Sequence, residues 1–274
     1  MTWSALAWGI GLLGLGTGVA GRQLDHSAAA AIADLLGAAR STVAAKVRTD
    51  FLLGPFQGRF ASLEAKAARF ALESMPLAGE RGPGRVWRVA RMDLDFRDFR
   101  LRKLDVRGFR ASIPEVRFQA KPGAKPSIRF LGSQEGSGTV WTDAESVARY
   151  AERRFPALRR LRVSFRGDLV VLEGEATFLW RTAEFWLCAR PRVTNPRRLG
   201  LAPVRVLFAG SRAEGQALQA WSDLLAGLID LDRDLGLNGS MDAAEATVHP
   251  DRIEVRGRVR IPARVQSEGQ SGVF

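Results

Sequence analysis

The chain has 274 residues, which is enough for one large hydrophobic core or two small ones. Its formal net charge of +12 favours anionic partners such as nucleic acid, an acidic membrane surface or phosphate-bearing molecules. The same arginine-rich composition also arises from codon bias in a GC-rich genome. The single cysteine, Cys188, excludes an internal disulfide framework and any metal site built from several cysteines.

The first 21 residues form an uncharged, apolar and glycine-rich segment. Met1–Gly21 is long enough to cross a bilayer, and it lacks the basic start of a cleaved signal peptide. We expect residues 1–21 to be a membrane anchor or signal segment; a buried glycine-rich helix is the alternative. Basic residues such as Arg22 and Arg40 follow the segment and favour the cytoplasmic side, so the side of the membrane stays open.

The next part of the chain changes from a helical to an alternating pattern. Apolar residues at three- and four-residue spacing predict an amphipathic helix from Leu24 to about Val47. The glycine- and proline-broken stretch Phe51–Phe60 predicts a loop, and Phe60–Ala71 predicts a strand. Pro76–Gly84 reads as a linker.

The segment Arg85–Phe118 alternates apolar and charged residues almost strictly, which is typical of half-buried strands. The alternation shifts phase at Asp98, where we expect a turn or bulge, and again at Gly108. The pattern therefore predicts a β-meander with one apolar and one basic face. Helices, a second sheet or a lipid must cover the apolar face.

Two capping-box patterns predict helices in the second half of the chain. Thr142–Glu145 starts a helix that Pro156 ends, and Ser211–Glu214 starts a helix whose apolar side includes Trp221, Leu224 and Leu228. Strands are predicted between these helices, with a turn at 166–168, and a hairpin follows at 244–261. Residues 263–274 are predicted to be a disordered tail.

No arrangement of side chains in the sequence predicts catalysis. The two histidines, His26 and His249, have no nucleophile or metal ligand nearby in sequence. Asp230, Asp232 and Asp234 resemble a calcium loop, but the glycine and the distal glutamate of such a loop are missing. We interpret these aspartates as solvated or capping groups, and we expect no enzyme, cofactor or metal.

The order of several short patterns resembles a known family. These patterns are G-x-F-x-S-L-E-A (58–65), M-D-L-D-F (92–96), G-T-V-W-T-D (138–143), I-D-L-D-R-D-L-G-L (229–237) and R-I-E-V-R-G (252–257). Over roughly residues 24–262 the chain is similar to the bacterial LmeA-like phospholipid-binding family. The resemblance implies an envelope protein outside the cytoplasm that binds phospholipid, with a fold like that of tubular lipid-binding domains, in which a curved sheet wraps a helix.

We therefore expect a single α+β domain over residues 22–262, with a curved, largely antiparallel sheet packed on amphipathic helices. The expected function is non-catalytic phospholipid binding or transfer at an anionic membrane surface; lipid species and oligomeric state stay open. The residues expected to line the lipid site are Met92, Leu94, Phe96, Phe99, Leu101, Leu161, Val163, Phe165, Phe178, Trp180, Trp221, Leu224 and Leu228.

Two alternative functions remain: a single-stranded nucleic-acid-binding protein and a membrane-tethered scaffold. Aromatic residues such as Trp87 and Phe109 interleave with arginine in the meander. However, the alternation places many of these rings on the face opposite the arginines, whereas single-strand binders need stacking and phosphate contacts in one groove. The sequence therefore disfavours nucleic acid as a partner.

Overall fold

The structure, a computed structural model, describes residues 17–49, 58–75, 85–121, 127–178 and 181–262. Within these residues, fifteen strands form one sheet of nine strands and one of six, and three α-helices accompany them. This architecture agrees with the predicted α+β class. It differs from the prediction in having two sheets instead of one. One sheet is curled into a half-barrel, in agreement with the expected curvature.

The helices are α1 (Thr17–Leu36), α2 (Ala144–Arg154) and α3 (Gly215–Leu225). The strands are β1 (Val43–Arg48), β2 (Arg59–Ala68), β3 (Ala71–Leu72), β4 (Val86–Leu101), β5 (Leu104–Lys121), β6 (Ser127–Gly132), β7 (Gly136–Thr142), β8 (Leu158–Arg166), β9 (Leu169–Phe178), β10 (Arg181–Asn195), β11 (Arg198–Phe208), β12 (Ser211–Arg212), β13 (Ile229–Asp230), β14 (Met241–Val248) and β15 (Ile253–Val259).

The larger sheet has the strand order β1-β2-β4-β5-β7-β15-β14, with β3 beside β4 and β6 beside β5. The smaller sheet has the order β12-β11-β10-β9-β8, with β13 beside β11. Among the described strands, the pairs β2–β4 and β3–β4 are parallel and the others are antiparallel, so the expectation of a largely antiparallel sheet is confirmed.

The predicted helix from Leu24 to Val47 is wrong after Leu36. Helix α1 ends at Leu36, and Gly37 follows with φ +58°, a left-handed conformation that glycine adopts at helix ends. A short 3-10 turn leads into β1, which contains Val43 and Val47. Residues four apart share a face in both a helix and a strand, so the apolar spacing did not distinguish the two.

The β4–β5 hairpin keeps one register throughout its length. Asp98 has φ +48°, but β4 continues through it without the predicted turn or extra residue. On β5 the phase shift at Gly108 is confirmed, because both Gly108 and Phe109 are buried. Arg97 lies opposite Gly108, and Phe99 lies opposite Val106. The phase shift on β4 therefore lies opposite the phase shift on β5, so the register of the two strands is the same on both sides of it.

The two predicted capping boxes are only partly confirmed. Helix α2 is capped by Asp143, whose carboxylate accepts a hydrogen bond from the Ser146 N–H at 2.8 Å. The Thr142 hydroxyl instead donates to the Asp105 carbonyl at 2.7 Å. Helix α3 begins four residues after Ser211, because Ser211 and Arg212 form β12, and Glu214 supplies no side-chain cap.

Two apolar clusters form the interior. One lies between the larger sheet and α1, and the other lies on the smaller sheet beneath α2 and α3. Cys188 is a buried, free thiol on β10. Among the described residues, no helix combines the length and apolar character that crossing a membrane requires.

Several predicted segments lie partly or wholly outside the described residues. They are most of the anchor or signal segment, the loop beginning at Phe51, the linker at 76–84 and the tail at 263–274.

Candidate functional site

A cavity of about 320 Å³ lies between the two sheets. The larger sheet contributes Phe99, Leu101 and Phe109, and the smaller sheet contributes residues such as Leu172 and Leu187. Helices α2 and α3 and the segment 228–241 complete its wall. Nearly all of the lining side chains are apolar.

The volume of this cavity separates it from an ordinary packing defect. At about 24 cal/mol per Å³, a sealed and empty cavity of about 320 Å³ would cost at most about 8 kcal/mol of stability. The whole folding free energy of a domain is only about 5–15 kcal/mol. Water does not relieve that penalty well, because dry apolar walls offer it few hydrogen-bonding partners. The cavity is therefore suited to an apolar occupant.

Six of the residues expected to line the lipid site do line this cavity: Phe99, Leu101, Phe165, Trp221, Leu224 and Leu228. They come from both sheets, from α3 and from the segment after it. Leu224 is 45% exposed while also lining the cavity, so α3 borders an opening to the surface.

The other expected residues lie elsewhere. Met92, Leu94 and Phe96 are buried in the apolar cluster that includes residues of α1, and they do not line the cavity. Leu161 and Val163 pack within the cluster of the smaller sheet without lining the cavity. The side chain of Phe178 and the whole of Trp180 lie outside the described residues.

The sequence analysis missed two parts of the wall. One is α2, which contributes Tyr150 and Ala151, and the other is the segment Leu231–Met241, with Leu235 and Leu237. The leucines of this segment alternate with aspartates, and all three are buried. That alternation was the available signal that the leucines are buried, but the sequence analysis considered only the aspartates, which it interpreted as solvated or capping groups.

The aspartates of this segment hold its backbone, as the capping interpretation predicted. Asp230 accepts hydrogen bonds from the N–H groups of Asp232 and Arg233 at 3.1 and 2.9 Å. Asp232 accepts one from the N–H of Gly239 at 2.7 Å, and Asp234 accepts one from the N–H of Asp230 at 2.9 Å. Within the described part of the chain, no group of three or more acidic, histidine or cysteine residues could hold a metal ion.

Tyr150 is the most deeply buried large side chain of α2, with 2% of its surface exposed. Burial, reinforced by the nearby charge of Asp234, raises the pKa of its phenol to about 12. Tyr150 therefore stays protonated at neutral pH and can act as a hydrogen-bond donor.

The arginines on the outer face of β4 are largely paired with acids. The ion pairs are Arg88–Glu115 at 3.1 Å, Arg91–Asp93 at 2.9 Å and Arg97–Asp95 at 3.2 Å. Phe96, Phe99 and Phe109 are buried on the opposite face. These three rings are therefore not available for stacking on nucleic-acid bases beside the arginines.

Comparisons of the chain with protein-family models, with curated proteins and with solved structures find no match.

Proposed function

We propose that this protein binds lipid without catalysis and that the cavity between the sheets holds an acyl chain of a phospholipid. The observation that carries the proposal is the cavity itself: about 320 Å³, lined almost wholly by apolar side chains and bordered by the half-exposed Leu224. Its volume lies at the lower end of the range of about 300–1,000 Å³ that is usual for ligand sites. The proposal includes a fold like that of tubular lipid-binding domains.

The volume also limits what can enter. A dry apolar cavity of about 150 Å³ holds one benzene molecule, so about 320 Å³ accommodates roughly a dozen carbon atoms. That matches one acyl chain, or part of one, better than a whole diacyl lipid. We therefore propose that the rest of the lipid protrudes at the opening beside α3.

Membrane association through residues 1–21, with the domain outside the cytoplasm, is part of the proposal. The membrane association rests on the uncharged, apolar composition of this segment, and the placement outside the cytoplasm rests on the resemblance to the phospholipid-binding family. The net charge of +12 would additionally favour an anionic membrane surface.

The proposal is tested by extracting and quantifying lipid from the purified full-length protein and from two charge variants. Leu224→Glu places a carboxylate at the cavity opening, where an acyl chain cannot solvate it. Val204→Glu is the matched control, because Val204 is equally exposed, at 46% against 45%, and does not line the cavity.

We expect phospholipid in extracts of the parent and of Val204→Glu, and several-fold less in extracts of Leu224→Glu. Absence of lipid from the parent would favour the scaffold alternative. Equal loss of lipid in both variants would show that the cavity is not the binding site. Salt-sensitive retention of oligonucleotide by the lipid-free parent would support the nucleic-acid alternative.

A further inference from the structure

Three arginines lie side by side on the outer face of the larger sheet. Arg59 on β2 is the register partner of Arg88 on β4, and Arg88 is the register partner of Arg117 on β5. Register partners share one face of a sheet, and neighbouring strands lie only about 4.8 Å apart. All three side chains are exposed. They therefore form one row of positive charge across three strands, which we call the arginine row.

The arginine row lacks the acidic neighbours that balance charge elsewhere on this face. On another rung of the same three strands, Asp95 stands between Lys66 and Arg110. Like charges on directly opposite residues destabilise a sheet, so three adjacent cations are an unfavourable arrangement when no anion is bound. Within the described part of the chain, neither Arg59 nor Arg117 forms an ion pair or a side-chain hydrogen bond.

A cleft of about 220 Å³ lies against the arginine row, lined by Arg59, Phe60, Arg88, Ala90 and Glu115. The Glu115 carboxylate lies 3.1 Å from the Arg88 guanidinium. Three arginines and this one glutamate carry a net charge of +2. A phosphate monoester carries about −1.5 to −2 at neutral pH, and the planar guanidinium group matches its oxygens with two parallel hydrogen bonds. The charge and the donors therefore suit one phosphate group.

The arginine row is remote from the cavity between the two sheets. Phe99 is the first residue of β4 that lines the cavity. Arg88 lies about 11 residues before it, which corresponds to about 36 Å of extended strand. Moreover, Phe99 is buried whereas Arg88 is exposed on the outer face. A ligand of the arginine row would therefore be separate from an acyl chain in the cavity.

We propose that the arginine row is a binding site for a phosphate group. A free phosphate monoester and the headgroup of an anionic lipid present the same oxygen acceptors, and both are sources of that group. The site goes beyond the proposed function, because it needs neither the cavity nor an acyl chain.

The test uses the full-length protein and two double variants, each of which removes two positive charges. The row variant combines Arg59→Gln with Arg117→Gln and keeps Arg88 with its ion pair. The control variant combines Arg100→Gln with Arg166→Gln. Arg100 and Arg166 are likewise exposed, and they lie on different sheets. Substitutions at such surface positions usually change stability little, so both variants should fold.

The first measurement is isothermal titration calorimetry with inorganic phosphate at constant ionic strength. We expect the parent to bind phosphate, the row variant to bind it at least about tenfold more weakly, and the control variant to stay within about twofold of the parent. The reason is that the row variant loses two charge-assisted hydrogen-bond donors of the site. In phosphate-free buffer the Tm of the row variant should equal or exceed that of the parent, because adjacent like charges have been removed.

The second measurement distinguishes the two sources of the phosphate group. It is cosedimentation with phosphatidylcholine vesicles that contain a minor fraction of phosphatidic acid, whose headgroup is a phosphate monoester. Pure phosphatidylcholine vesicles give the baseline for the apolar segment 1–21. A loss of phosphatidic-acid-dependent binding in the row variant alone identifies a lipid headgroup as the source. Loss of calorimetric phosphate binding with unchanged vesicle binding identifies a soluble phosphate compound.

Two results would overturn the inference. Equal weakening in the row and control variants would mean that net charge attracts the anion, and not the alignment of three arginines. Absence of phosphate binding by the parent, together with equal vesicle binding by both variants, would mean that the arginine row holds no phosphate. Neither result affects the lipid extraction with Leu224→Glu, so failure of this inference is distinguishable from failure of the proposed function.

Discussion

Filling the cavity from its wall should stabilise the protein, whereas enlarging a packed position should destabilise it. Ala176 on β9 is 1% exposed and lines the cavity. Replacing it with leucine adds three carbon atoms, each worth about 0.8 kcal/mol when buried in a space that is otherwise empty. We expect Ala176→Leu to raise the free energy of unfolding of the lipid-free protein by about 2 kcal/mol, or about 4–8 °C in Tm.

Ala189→Leu is the matched control for this substitution. Ala189 is a fully buried alanine of the same sheet and the same apolar cluster, but it does not line the cavity. Leucine there would overpack a filled region, which typically destabilises a protein by about 1–3 kcal/mol. The two variants make the same chemical change and are expected to have effects of opposite sign.

The assay is urea unfolding of delipidated parent and variant proteins, followed by lipid quantitation after reconstitution. Delipidation matters because a bound ligand stabilises the native state by mass action and would mask the gain. Ala176→Leu should also bind less lipid, since the added side chain occupies the volume of the ligand. If Ala176→Leu is destabilised as much as Ala189→Leu, the space between the sheets is filled by protein and the reasoning is refuted.

Two further predictions concern α2. Tyr150 is the only tyrosine, so ultraviolet titration reports it alone: it should ionise near pH 12 in the folded protein, against 10.0 as the ordinary value. Because the pKa of Tyr150 is higher in the folded protein than in the unfolded protein, the stability that the buried, neutral phenol contributes is complete below pH 10.0 and is lost as the pH rises through about 12. Ionisation of Tyr150 near pH 10.0 in the folded protein would contradict its burial. Asp143→Ala should lower stability by about 1 kcal/mol in thermal unfolding through loss of the cap on the Ser146 N–H, whereas an unchanged Tm would mean that the cap contributes nothing.

Local sequence patterns predicted most of the individual elements. The turn at 166–168 contains Gly167 at φ +60°, and the C-terminal hairpin pairs Val248 with Ile253 as expected. The alternation on β4 and β5 also identified which face is buried. These features depend on residues a few positions apart, so the information lies within a short stretch of sequence.

The sequence patterns did not predict which elements pack against each other. Leu94 and Leu101 on β4 belong to the same apolar cluster, yet Leu101 lines the cavity and Leu94 does not. Likewise, the buried leucines of the segment 229–241 gave no local indication that they would close a cavity between two sheets. The sequence predicted apolar surfaces, and it did not predict which surfaces meet.

What the sequence alone determined is therefore the α+β composition, the alternating faces, the two hairpin turns at 166–168 and after Val248, and the capping role of the aspartates. The tertiary structure decided that the strands divide into two sheets and that the space between them is not filled. The pairing of Val255 with Val140 joins residues more than a hundred positions apart and helps to form one wall. Such pairings depend on how whole elements are arranged in space, and so does the volume left between two packed layers. A local apolar pattern carries no information about that arrangement.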